Sequence, residues 1–123
     1  MSVLISVAIG GALGALARYG ISQISLLHGT SFPWMTLAAN LIGALIIGFV
    51  AGIMLSSPRL NQSQHAFIKT GFCGGLTTFS TFSLEAVELF ETGKWGLAIL
   101  YIFVSIILCL GGVILGKIIG EAC

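Results

Sequence analysis

Four apolar stretches, each long enough to cross a lipid bilayer, constrain this chain more than any other feature. A helix rises about 1.5 Å per residue, so a hydrocarbon layer of about 30 Å takes roughly 20 apolar residues. Windows at about 3–27, 34–56, 66–90 and 95–119 meet that requirement. Polar or turn-forming breaks separate them: His28 to Pro33, Ser57-Pro58 to His65, and Glu91 to Lys94. Charged residues make up only 7% of the 123 residues, against 57% apolar ones. A soluble domain carries about a quarter charged residues to wet its surface. This chain cannot do so, and its sequence predicts an all-α membrane protein of four transmembrane helices forming one domain, embedded in the lipid bilayer.

Val3 to Leu16 has the length of a signal-peptide core, with Ala15-Leu16-Ala17 as small-residue site, but no Lys or Arg precedes it; it reads as a retained helix. Short connections favour antiparallel neighbours in a bundle. Glycines recur four residues apart: Gly10 with Gly14, Gly48 with Gly52, and Gly112, Gly116 and Gly120. Helix backbones approach closely along such faces, because lipid supplies no hydrophobic push between helices. The spacing predicts tight packing that includes a subunit interface, and four thin helices enclose so little that a homo-oligomer is expected.

Four spans place both termini on one side, with Arg59, Lys69 and Lys117; Lys94 lies on the other, with Arg18 inside the first span. Lys/Arg bias in short loops sets orientation, and here it is weak enough to permit insertion both ways, hence an antiparallel dimer. Cys73, Cys109 and Cys123 are too scattered for a disulfide framework or a metal site. His28 and His65 read as wetted loop residues. No nucleophile–base pair, phosphate loop or metal-ligand cluster points to an enzyme, and no basic patch points to nucleic acid.

The chemistry concentrates in the third span, at Gly71-Phe72-Cys73-Gly74-Gly75-Leu76-Thr77-Thr78-Phe79-Ser80-Thr81-Phe82-Ser83, followed by Glu85 and Glu88. Glycine costs a helix about 1 kcal/mol relative to Ala, so the segment either unwinds near Gly74-Gly75 or stays helical with a glycine packing face. Unwound carbonyls at membrane depth need protein, water or a hard cation as partner. Phe79 and Phe82 share one helical face, beside a polar stripe of Thr78, Thr81, Glu85 and Glu88. Intramembrane ionisable groups usually face a bundle interior or a wet cavity. Asn40 in the second span, and Tyr101 with Ser105 four residues apart in the fourth, add matching polar points. Arg18 either snorkels to the interface or attracts anions to a vestibule. Ring edges with neutral donors suit a small anion that must shed water, although the Glu85 carboxylate would repel one.

The run Gly74-Gly75-Leu76-Thr77-Thr78-Phe79-Ser80-Thr81-Phe82-Ser83, with Gly10-Gly11 and Arg18 before it and Asn40 in the second span, resembles the signature of the bacterial fluoride channels, the Fluc or CrcB family. The resemblance implies a dual-topology, antiparallel homodimer in the bacterial inner membrane that lets fluoride leave the cytoplasm passively and reduces its toxicity. It implies pore roles for Phe79, Phe82, Asn40, Tyr101 and Ser105, with Thr78, Ser80 and Thr81 in the same region. It also implies a structural sodium ion at the dimer interface, held by the Gly74 and Thr77 backbone carbonyls. The competing readings are a small proton-coupled four-helix exporter with Glu85 as relay, and a non-transporting assembly subunit. A cationic-drug exporter wants a carboxylate in the first span, and this chain has Arg18 there instead.

Overall fold

The computed structural model describes residues 2–25 and 29–123, so the end of the first window and the reading of His28 as a loop residue lie outside the described residues. Among the described residues the regular structure is helical: α1 (Val3–Ser22), α2 (Trp34–Ser56), α3 (Gln62–Ala66), a π-helical segment (Phe67–Cys73), α4 (Gly74–Leu76), α5 (Phe79–Glu91) and α6 (Trp95–Ala122). Three helices, α1, α2 and α6, are long and apolar enough to cross a membrane. The third window is divided. Its helical course starts early, on a capping box in which Asn61 and Gln64 satisfy each other's backbone N–H groups. His65 is therefore helical rather than in a loop. The helix runs through a wide π turn and stops at Leu76; Thr77 and Thr78 are extended before α5 begins.

The break falls three residues beyond the glycines that seemed weakest. Gly74 and Gly75 are helical, and Gly71 and Gly75 serve as a packing face: a Cβ on either would run into α1 backbone, at the carbonyls of Val7 and Gly11. Gly10 and Gly14 of α1 answer them, abutting the carbonyls of Phe67 and Phe72. The same device joins α2 to α6. Gly48 and Gly52 lie on the carbonyls of Val113 and Lys117, while Gly116 and Gly120 lie on those of Leu45 and Phe49.

These contacts advance in step along both chains, so the closest pairs are parallel and non-consecutive, α1 with the π segment and α2 with α6. Backbone-to-backbone fit is tightest between non-consecutive helices, while consecutive helices still run in opposite directions, since the α1–α2 and α5–α6 connections meet at one end. It also uses the glycines of spacing four inside one chain, the tight packing that their spacing predicts.

Connections close the ends. After α5, Gly93 at φ +79° carries the chain into the left-handed region; Gly93 N–H donates to Phe90 and Lys94 N–H to Leu89, a Schellman stop. Lys94 Nζ donates to Ser31 Oγ at 2.8 Å, tying the α5–α6 turn to the α1–α2 connection. Trp34 and Trp95 open α2 and α6 at this end, both exposed, where indole rings suit a membrane–water interface. A core of Leu37, Phe82, Ala86, Leu89, Ala98 and Tyr101 packs α5 against α2 and α6.

Because Gly116 has no room for a methyl group and Gly96 has nothing within 4 Å, Gly116→Ala is expected to cost about 1–3 kcal/mol through overpacking. Gly96→Ala is expected to cost nothing. The fraction of monodisperse protein surviving a detergent heat ramp separates the two variants.

Candidate functional site: a polar helix break on an apolar groove

A helix that stops inside a membrane leaves carbonyls and N–H groups without partners, and each must find one. Here the side chains of α1 and α2 supply them. In a continuous helix Thr78 N–H would bond the Gly74 carbonyl; it donates instead to Asn40 Oδ1 at 2.7 Å. Asn40 Nδ2 donates to the Thr78 carbonyl at 3.3 Å. The amide thus engages both backbone groups of one residue, as a neighbouring strand would. Arg18 Nε donates to the Gly75 carbonyl at 3.1 Å, placing a positive charge on the C-terminal end of the broken helix, where the macrodipole favours it. Thr77 folds back, its N–H and Oγ1 both donating to the Cys73 carbonyl at 3.0 and 2.8 Å. Thr78 Oγ1 caps α5 by accepting from Thr81 N–H at 3.1 Å and pairs with Ser80 Oγ at 3.3 Å.

Past the break, α5 presents its two phenyl rings differently. Phe82 is buried, with its ring centroid 5.7 Å from Phe79 and 5.1 Å from Tyr101. Phe79 is 79% exposed in the single chain. Both line a groove of about 420 Å³ that also takes in Asn40, Gly74, Thr77, Thr78 and Ser105. Ser105 is 5% exposed, and its Oγ is the buried side-chain polar atom that finds no partner among the described residues. A buried hydroxyl left unpaired costs about 1–3 kcal/mol, so this one points to a ligand more strongly than any other atom in the groove.

Not every residue singled out in the sequence reaches the groove. Tyr101 is fully buried behind Phe82, and its O–H donates to Glu85 Oε1 at 2.9 Å. Thr36 Oγ1 donates to the other oxygen, Oε2, at 3.0 Å. Glu85 therefore bridges α2, α5 and α6, whereas Glu88 is exposed; the expected continuous stripe of Thr78, Thr81, Glu85 and Glu88 does not form. Ser80 and Thr81 belong to the cap of α5. Arg18 is not among the residues lining this groove; its Nε holds the Gly75 carbonyl at the break.

Thr36 and Gly43 went unnoticed in the sequence. Thr36 stands four residues before Asn40, on the same helical face, and that spacing is the signal that would have found it. Gly43 leaves room for the Thr77 methyl group, which a Cβ there would strike.

The donor set also fits a hard cation at the break. The Gly74 carbonyl has lost its helical N–H, Thr77 is extended at ψ 156°, and space beside Gly74 is open. Two neutral carbonyl oxygens are the ligand type such an ion prefers.

Losing the guanidinium from Arg18 leaves a helix-end carbonyl unpaired, so Arg18→Gln is expected to destabilise the fold by about 1.5–3 kcal/mol, the range for hydrogen bonds to charged groups. Arg18→Lys should recover part of it. Thermal midpoints of the purified variants in one detergent test the order.

A family model described as CrcB-like protein, Camphor Resistance (CrcB), matches residues 5–117. A fluoride-specific ion channel FluC of Ruminiclostridium cellulolyticum is 41% identical over 119 residues, covering 96% of this chain and 92% of that one. The protein of the same description from Agrobacterium fabrum is 44% identical over 118 residues, with 94% and 93% covered. That of Beijerinckia indica is 48% identical over 110 residues, with 87% of each covered.

Proposed function

The chain belongs to the CrcB-like family, and on that premise we propose that it is a fluoride-specific channel, a multi-pass membrane protein whose groove carries the ion. The observation that carries the reading is the unpartnered Ser105 hydroxyl, buried in a groove that Phe79 and Phe82 also line. Fluoride is small and strongly hydrated, so a pathway must replace its water with donors. One neutral O–H and the electropositive edges of phenyl rings do so without a deep fixed charge that would hold the ion too tightly. The task is conduction, with no bond made or broken.

The groove is open along one side of the single chain, and an exposed Phe79 at membrane depth calls for a cover. A second copy supplies it in this reading, inserted in the opposite orientation, so that the dimer is antiparallel and of dual topology. The weak Lys/Arg bias supports insertion both ways. A sodium ion held by the Gly74 and Thr77 carbonyls of both copies would satisfy the oxygens that the break frees. Placed in a bacterial inner membrane, the channel lets fluoride leave the cytoplasm down its electrochemical gradient and limits its toxicity.

Reconstituted in liposomes, the protein is expected to pass fluoride far faster than chloride, electrogenically and without an imposed pH gradient. Ser105→Ala, Phe79→Ile, Phe82→Ile and Asn40→Asp should each lower the fluoride rate. Roughly tenfold or more is expected for Ser105→Ala, since a lost hydrogen bond to an ion is worth about 1.5–3 kcal/mol. Comparable chloride and fluoride rates, or wild-type flux in all four variants, would reject the pathway. A rate that follows an imposed proton gradient would favour coupled export instead.

A further inference from the structure

Apart from its polar break, the groove holds one charged residue. Lys69 lies on the π-helical segment and is exposed, and among the described residues it is the only charged side chain lining the groove that holds Ser105 and the two phenyl rings. Among the described residues its ammonium has no hydrogen bond or ion pair. Seven residues of helix, Thr70 to Leu76, separate it from Thr77, a rise of about 10–12 Å. That is too far to touch an ion among the rings and near enough to act on one approaching them.

Resting on the groove's being the anion path, we infer that Lys69 is an entry residue that raises the local concentration of anions at the groove's mouth. A unit charge at that distance changes an anion's occupancy roughly twofold to tenfold, depending on the effective dielectric. Its influence reaches about 30 Å at 0.01 M salt and about 3 Å at 1 M. The charge therefore sets how often an ion arrives and leaves its identity to the residues further in. A mobile ammonium at the rim also avoids the deep trapping that a fixed charge beside the rings would cause.

The test compares initial fluoride efflux from liposomes at about 0.01 M and about 1 M ionic strength, osmotically balanced, for wild type and for Lys69→Gln, Lys69→Arg and Lys69→Glu. At low salt, Lys69→Gln is expected to run roughly twofold to tenfold slower, Lys69→Glu slower still, and Lys69→Arg like wild type. At high salt the four rates should converge, with fluoride-over-chloride preference unchanged throughout. Unchanged rates at low salt, or an equal loss at both salts, would overturn the entry role, the latter marking a structural effect. Absence of fluoride flux in the wild type itself would instead strike down the groove as the pathway.

Discussion

The pairing of Asn40 with the backbone of Thr78 is the interaction on which the rest of the site depends. Inside a membrane a helix cannot simply end, because no water is present to take over its unpaired groups. The helix that ends at Leu76 can be interrupted there only because α2 brings an amide, and α1 a guanidinium, to the severed ends. Everything downstream follows from that interruption. Thr78 becomes free to cap α5, α5 takes a new direction from its cap, and Phe82 lands between Phe79 and the buried Tyr101. Glu85, one turn further on, is then placed to receive hydroxyls from two other helices.

Glycine faces give that arrangement its rigidity. Lipid offers helices no hydrophobic reason to associate, so the fit of backbone on backbone has to supply one. The two parallel pairs hold the break between them: α1 braces the side that ends at Leu76, and α2, itself locked to α6, carries Asn40. A small slip of either pair would carry Arg18 or Asn40 out of hydrogen-bonding range. Close packing far from the groove is thus part of what keeps the groove's polar groups in place.

The long helices were legible from residue type alone, because a bilayer imposes a length and an apolar composition that no loop satisfies. Trp34–Ser56 shows this plainly. Weak helix-forming tendency also marked the neighbourhood of the break, but it pointed at Gly74-Gly75. A glycine does two opposite things, loosening a lone helix and tightening a pair, and only the partner helix decides which prevails. Thr77 and Thr78 open instead, because their replacement partners come from residues far away in sequence. The Thr36–Glu85–Tyr101 bridge was hidden for the same reason: its members are separated along the chain, and nothing local in any one of them announces the other two. Parallel pairing of non-consecutive helices lay equally out of reach, since loop length speaks only for neighbours.

The π-helical stretch from Phe67 to Cys73 sets the angular phase of what comes after it. An α-helix turns about 100° per residue, and a wider turn absorbs one residue more than regular winding would. Remove a single residue there and the wide turn would relax to regular α winding, leaving the side chains beyond it close to their present phase. The wide turn thus takes up one residue between the capping box and the break without shifting the faces that Gly75 presents to α1 and Thr78 to Asn40.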